Sequence, residues 1–140
     1  MREPTVMWWP GRIPAGSVCR EVAGTIDILP TLAAITGAAL PRQKIDGHNI
    51  LPLLEGRKGA RSPHKAYFYQ SKGARIGEWK LMESGARNKP KRQLLFNLSS
   101  DIGEKNNVAA DHPEIVKRLS EALSDFKARM KTEGRPRGSL

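Results

Sequence analysis

The chain has 140 residues, enough for one domain with an appendage and too few for two full hydrophobic cores. No run of 18 apolar residues occurs, so the sequence predicts no membrane span, and the single cysteine, Cys19, excludes an internal disulfide. Lysine and arginine number 24 against 14 acidic residues, so the formal net charge of +10 predicts attraction to polyanions.

A short apolar run near the start of the chain ends at a Pro-Gly pair. Residues 5–9 read Thr-Val-Met-Trp-Trp, a β-branched and aromatic run typical of a strand buried on both faces of a parallel or mixed sheet. Such a strand needs neighbours on both sides, and the sequence offers no other segment like it. The run therefore indicates that the strands expected to flank it are missing from this sequence.

Residues 27–37 predict a short helix. Asp27 is a suitable N-cap, Pro30 is tolerated in a first turn, and Gly37 suits the left-handed position after the last turn. Apolar side chains cover most of the circumference, which predicts a largely buried helix. Asn49 is expected to cap a second helical piece over 50–55, and a basic linker follows.

Short strands are predicted next, at 67–69, 74–76, 79–82 and 94–98. Gly77-Glu78 is a suitable tight hairpin connection between the second and third of them. A sheet of so few short strands needs a helix against one face. The C-terminal segment supplies one, with Asp111 as its expected N-cap, Glu114 three residues later, and an apolar stripe at helical spacing.

Residue types that carry chemistry are sparse in this sequence. The histidines lie far apart, and none has the spacing of a metal site. His64 and His112 are expected at the surface, and Cys19 is expected to be an unreactive thiol. His48, beside the Asp46-Gly47 turn, is the one histidine that we expect to contact a ligand. Residues 101–107 lack the ligand spacing of a calcium loop and predict a turn closed by side chains.

An ordered series of motifs resembles the end of the sulfatases. Its first part is Trp9-Pro10-Gly11, then Asp27-Ile28-Leu29-Pro30-Thr31-Leu32 and Asp46-Gly47. It continues through Leu51-Pro52-Leu53-Leu54, Trp79-Lys80-Leu81 and Leu95-Phe96-Asn97-Leu98, and closes with Asp101, Glu104, Asn107 and Val108. Each motif is weak alone, but together they cover roughly residues 2–130 in the family's order.

The resemblance implies an α/β fold of the alkaline-phosphatase-like kind. Residues 1–56 are expected to be the last strand and helix of the large α/β catalytic domain. Residues 57–134 would form the small antiparallel sheet of about four strands with its packed C-terminal helix, and 135–140 a frayed tail. The chain would thus be the C-terminal portion of an arylsulfatase-like enzyme.

The resemblance also implies where the chemistry lies. Sulfatases hydrolyse sulfate esters with a formylglycine made within a Cys-x-Pro-x-Arg signature, beside a calcium ion. Cys19 is followed by Arg20-Glu21-Val22 and does not match that signature. Nucleophile and metal site are therefore expected upstream of residue 1, with no catalytic residue, metal or cofactor in this chain, which would be inactive alone.

Substrate selection is the contribution that the resemblance leaves to this chain. In related arylsulfatases the loop equivalent to 83–93 leans over the pocket, and here that loop carries Arg87 and Lys89. Their cationic groups suit an anionic sulfated sugar, so Arg87, Lys89 and His48 are the candidate substrate-binding residues. The resemblance further implies a periplasmic or extracellular location for the complete enzyme, although the charged, Pro-broken start shows no signal peptide.

Two other hypotheses remain open on the sequence. Eleven basic residues against two acidic ones between Arg57 and Arg92 suit a small module that binds nucleic acid or another polyanion, but no RNA-binding motif accompanies them. The chain could also be a subunit complemented by a separately encoded upstream half. If the chain is a truncated sulfatase, apolar surface around Val6–Trp9 and 27–36 is expected to be exposed and to favour self-association.

Overall fold

The computed structural model describes residues 3–85 and 92–134. The chain divides into two compact units, Met1–His64 and Lys65–Leu140, so the division falls eight residues after the boundary expected at 56. Within the described residues, no helix combines the length and the apolarity that crossing a membrane requires.

The first unit contains short helices joined by turns and extended segments. A 3₁₀ turn over Thr25–Asp27 leads directly into helix α1, Ile28–Thr36, and helix α2 follows at Leu51–Leu54. Gly37 ends α1 with a φ of 74°, the left-handed conformation that its position predicted. The Asn49 side chain accepts a hydrogen bond from the Leu51 amide at 2.9 Å, but the predicted cap lies one residue too early, because Ile50 occupies the N-cap position of α2.

Residues 5–9 do not form the predicted strand in this structure. They pair with no strand of the described chain, and the Val6 and Trp8 side chains are 92% and 85% exposed. The reason is physical, since a strand that is apolar on both faces is ordered by neighbouring strands that the described residues do not provide. The expectation of exposed apolar surface here is confirmed.

Helix α1 is less buried than its composition predicted. Pro30, Thr31 and Ala33 face inward, whereas Leu29 and Leu32 are each about half exposed. A helix that is apolar around most of its circumference is typical of a buried position. Only one side of α1 meets the rest of the first unit, so its outer side adds to the exposed apolar surface.

The second unit is a four-stranded antiparallel sheet in the order β1-β2-β3-β4. Its strands are β1 (Tyr67–Tyr69), β2 (Gly73–Ile76), β3 (Trp79–Ser84) and β4 (Arg92–Asn97). The register pairs Ala74 with Leu81, and Leu81 with Leu95. These three residues are fully buried on one face, and the predicted small antiparallel sheet is confirmed.

The C-terminal helix α3, Pro113–Glu133, covers that face of the sheet. Leu119 and Val116 on α3 pack against Leu81 and Leu95, and the ring of Phe126 stacks on Phe68 at 4.1 Å. The predicted N-cap was wrong: His112 occupies the cap position without a side-chain hydrogen bond. Since Pro113 stands at the first helical position, where it lacks an amide to be capped, a cap at Asp111 lies one residue too early.

The turn before α3 is closed by side chains, as the sequence predicted. Both oxygens of Asp101 accept backbone hydrogen bonds, from Lys105 at 3.1 Å and from Asn106 at 2.8 Å. These bonds hold the pKa of the Asp101 carboxyl below its ordinary value. Asn107 reaches back to the sheet, where its side-chain oxygen accepts from the Leu95 amide at 2.9 Å.

Candidate functional site

The first unit is organised around a buried carboxylate, Asp27, which has no exposed surface. Its oxygens accept hydrogen bonds from the amides of Gly24 and His48, both at 2.8 Å. The His64 ring nitrogen Nε2 lies 2.8 and 2.9 Å from the two oxygens. Three segments that are far apart in sequence therefore converge on one side chain.

A second set of bonds extends this network through α1. The Thr31 hydroxyl donates to the Asp27 carbonyl at 2.6 Å and accepts from the Ile50 amide at 3.0 Å. Gly47 lies so close that a Cβ atom there would stand 1.8 Å from the carbonyl oxygen of Ile26. The Asp-Gly turn thus needs glycine for close approach of two backbones, and it delivers the His48 amide to Asp27.

The network keeps Asp27 ionised. Burial opposes the charged form, but hydrogen bonds from the His48 amide, the His64 ring and the Gly24 amide outweigh it and lower the pKa of the carboxyl from its ordinary value. Because donors surround both oxygens, the charge is stabilised without direct access to water. This geometry suits a rigid anchor rather than a group that exchanges protons with a substrate.

His64 was misjudged from the sequence. It was expected at the surface of a linker, but its side chain is 7% exposed and is bonded to Asp27. The two residues are separated by 37 positions, and no local pattern links them. The sequence also predicted Asp27 as the N-cap of α1, and Asp27 occupies that position, but its carboxylate makes no cap hydrogen bond to α1.

The candidate His48 lies at the edge of the same network. Its residue is exposed, and its ring meets the His64 ring edge-on, with 5.1 Å between centroids. Asp27 thereby fixes the backbone of His48, and the His64 ring packs against one side of the His48 ring. Of the other candidates, Arg87 and Lys89 lie outside the described residues, so the three are not seen together here.

The exposed cysteine lines a small cavity of about 220 Å³ in the first unit. Cys19, Arg20 and Arg57 are among its lining residues. Arg57 is engaged by Glu55, which also pairs with Arg12, and these two guanidinium groups lower the pKa of the Glu55 carboxyl. Arg12 in turn lies over the Trp9 ring at 5.0 Å, so the charged cluster ties the chain's first residues to α2.

A buried ion pair marks the second unit. The Lys80 ammonium is 3% exposed and lies 2.6 and 2.7 Å from the two oxygens of Glu104. It also lies 4.6 Å from the centre of the Tyr69 ring, a cation–π distance. The pair fixes the 101–107 turn against the sheet face opposite α3, where Glu104 borders a cavity of about 690 Å³.

The family is identified by comparison with known proteins. The C-terminal family of N-sulphoglucosamine sulphohydrolase matches residues 1–129 of this chain. Human arylsulfatase A is 33% identical over 161 aligned residues, which cover 93% of this chain and 31% of the human protein. The chain therefore spans about a third of the length of the curated relatives that it matches.

Solved structures agree with this relationship. A protein from work on the metabolism of multiple glycosaminoglycans by Bacteroides thetaiotaomicron is 32% identical with a TM-score of 0.59, over 74% of this chain and 24% of that one. Another, solved with its substrate D-glucosamine-2-N,6-O-disulfate, is 25% identical with a TM-score of 0.66, over 90% of this chain and 28% of that one. The chain belongs to the family of sulfatase C-terminal regions.

Proposed function

We propose that this chain is the C-terminal portion of an enzyme that hydrolyses sulfate esters. The main observation behind this proposal is the extent of the alignment, in which 93% of the chain matches only 31% of human arylsulfatase A. The chain alone is inactive under this proposal. It supplies the small sheet subdomain and the end of the catalytic domain to a longer protein.

The catalytic groups of the proposed enzyme lie in the preceding portion. Among residues 3–85 and 92–134, no three His, Cys, Asp or Glu side chains are grouped to hold a metal ion. Cys19 is exposed and lacks the residues of the formylglycine signature around it. These residues do not fit calcium or formylglycine, so we assign no catalytic step to them.

The exposed apolar surface of the first unit fits this proposal. Trp8 and Val6 are almost fully exposed, and the outer side of α1 adds Leu29 and Leu32. Large apolar side chains left in water mark a surface that another part of a protein covers. We assign that role to the preceding portion of the sulfatase. In its absence, the same surface favours self-association.

The proposed substrate class is a sulfated saccharide. It is supported by the relative that was solved with D-glucosamine-2-N,6-O-disulfate, and by the net charge of +10. His48, Arg87 and Lys89 are the proposed substrate contacts, since cationic or hydrogen-bonding groups suit sulfate oxygens. Secretion to the periplasm or the cell exterior remains part of this proposal.

The test uses the protein with its upstream sequence restored. His48→Gln, Arg87→Ala and Lys89→Ala are expected to raise KM for a sulfated saccharide about tenfold or less each, with kcat nearly unchanged. Lys117→Ala, on the exposed side of α3, is the matched control. Unchanged KM in all three variants would refute the proposed substrate contacts, and absence of any sulfate release by the extended protein would refute the proposed function.

A further inference from the structure

His48 is an exposed residue on a backbone that buried groups hold on both sides. Before it, a Cβ atom at Gly47 would stand 1.8 Å from a backbone carbonyl oxygen, so this turn is closely packed. After it, Ile50 is buried, and its amide donates to the Thr31 hydroxyl at 3.0 Å. The amide of His48 itself donates to Asp27 at 2.8 Å. The position from which the His48 side chain leaves the backbone is therefore fixed.

The ring of His48 lies against a buried ring. Its centroid is 5.1 Å from the centroid of His64, and the two ring planes meet at 69°, the edge-to-face arrangement that aromatic rings prefer. The side chain of His64 is buried, so this neighbour belongs to the interior of the first unit. The contact restricts the directions that the His48 ring can take.

Asp27 in turn holds the ring of His64 in place. Nε2 of His64 lies 2.8 and 2.9 Å from the two carboxylate oxygens. An ionised carboxylate only accepts hydrogen bonds, so Nε2 carries a proton and donates it to this bond. The amides of Gly24 and His48 fix the two oxygens from other directions. Asp27 thus orients His64, and His64 orients the ring of His48.

The ring and the nitrogen of His64 contribute differently. The hydrogen bond to Asp27 stabilises the buried network, and a donor at the position of Nε2 is enough for it. Contact with the exposed His48 adds little stability, because an exposed side chain buries little apolar area. The contact does remove rotamer freedom from His48. A side chain that is already ordered avoids an entropic cost on binding, and this saving is worth roughly two- to tenfold in affinity.

We infer that His64 is a positioning residue, which holds the ring of His48 in the orientation that contacts substrate. The inference rests on the proposed function, because that proposal supplies the contact between His48 and the substrate. His64 acts through His48 and touches no substrate itself. Its hydrogen bond to Asp27 keeps its own ring in the required place, and it takes no part in a reaction step.

Two substitutions separate the ring of His64 from its hydrogen bond. His64→Gln keeps an N–H donor near the position of Nε2 and removes the ring, whereas His64→Phe keeps a ring and removes the donor. We expect His64→Gln to leave the first unit folded, with the His48 side chain free to change rotamer. We expect His64→Phe to destabilise the unit, because Asp27 loses a donor, while the His48 ring stays ordered.

The first measurement uses NMR of the 140-residue chain. The couplings between Hα and Hβ of His48 report whether its side chain occupies one χ1 rotamer or several. We expect one rotamer in the wild type and in His64→Phe, and averaging over rotamers in His64→Gln. Unchanged couplings in His64→Gln would refute the inference without reference to any substrate.

The second measurement is kinetic and uses the protein with its upstream sequence restored. His64→Gln is expected to raise KM for a sulfated saccharide roughly two- to tenfold, with kcat nearly unchanged. In a His48→Gln background the same substitution should add no further increase, because both residues act through one contact. His64→Phe should keep KM within about twofold of the wild-type value. Lys65→Gln, at the exposed neighbouring position, is the matched control and should leave KM unchanged.

The two arms distinguish a positioning role from a structural one. An increase in KM that persists in full in the His48→Gln background, or an equal increase in His64→Phe, would overturn the inference in favour of a structural role. Sulfate release with an unchanged KM in His48→Gln would also overturn it, because no substrate contact would remain to position. Absence of sulfate release by the extended protein would refute the proposed function, whereas the couplings of His48 test the positioning by His64 on this chain alone.

Discussion

Replacing Asp27 by Asn tests whether the first unit is built on a buried charge. The amides of Gly24 and His48 bond to different oxygens of Asp27, Oδ2 and Oδ1. An asparagine side chain keeps one oxygen and turns the other into an NH₂ donor. Whichever way the amide is oriented, one backbone N–H loses its acceptor and faces another donor.

The cost follows from that geometry. A hydrogen bond to a charged group contributes roughly 1.5–3 kcal/mol, and a buried donor left without a partner adds a desolvation penalty. The charge-assisted bond from His64 is weakened as well. We expect Asp27→Asn to lower the free energy of unfolding of the first unit by about 3 kcal/mol, or about two orders of magnitude in the folding equilibrium.

The assay is a urea titration followed by NMR of amide signals in the first unit, such as those of His48 and Ile50. Asp46→Asn is the matched control, because it removes an exposed carboxylate near Gly47 and should change the free energy by less than about 0.5 kcal/mol. Equal unfolding midpoints for the Asp27→Asn and Asp46→Asn variants would refute the anchoring role of Asp27.

Three further predictions concern pH, the ion pair and the core. Since the folded-state pKa of Asp27 is lowered, its stabilising contribution should be present above about pH 4, the pKa range of an unfolded aspartate, and be lost as the pH falls through the folded pKa. In urea titrations across pH 3–7, an unchanged gap between wild type and Asp27→Asn would count against this. Glu104→Ala leaves the buried Lys80 charge unpaired and should cost about 3 kcal/mol, whereas Lys80→Met leaves only a partly exposed carboxylate and should cost about 1 kcal/mol or less. Equal losses of stability for Glu104→Ala and Lys80→Met in chemical denaturation would contradict this expectation. Leu119→Ala empties a fully buried position and should cost about 2–5 kcal/mol, against less than about 1 kcal/mol for Met130→Ala at the exposed end of the same helix, as thermal unfolding would reveal.

The second unit was predictable because its signals are local. Alternation places Leu81 and Leu95 on one face of their strands, and helical spacing places Leu119 on the facing side of α3. Neighbouring strands are joined by short connections, apart from the longer one between β3 and β4. The order of elements in the chain therefore fixes most of the order in the sheet.

The helix start at Asp111 was misplaced for a local reason. Its acidic side chain has a favourable propensity for an N-cap, but Pro113 determines where the first turn begins. The error is one residue at an element boundary, where hydrogen-bonding patterns and propensities commonly disagree.

The buried network was not predictable because it joins distant segments. Asp27 has the residue type and position of an N-cap, so local propensity explains it without any partner. His64 sits among Pro, Ser and Lys residues that favour exposure. Only the fold brings its ring to within 2.8 Å of Asp27, and composition around a histidine holds no information about such a contact.

The strand expected over residues 5–9 is a prediction that the structure does not bear out. Its apolar residues suit a strand with neighbours on both sides, and the part of the chain that the structure describes supplies no such neighbours. Under the proposed function, the preceding portion of the sulfatase supplies those neighbouring strands. The same reasoning explains why the outer side of α1, with Leu29 and Leu32, is apolar and yet exposed.

The central claim is that this chain completes a sulfatase whose catalytic groups precede it. The direct measurement is sulfate release from a chromogenic aryl sulfate with calcium, on this chain alone, on the protein with its upstream sequence, and on the separately made upstream part mixed with this chain. We predict no release by the chain alone and release by the extended protein, with the mixture reporting whether the two parts complement each other. Turnover by the 140 residues alone would contradict the account, because it would place an active site among them.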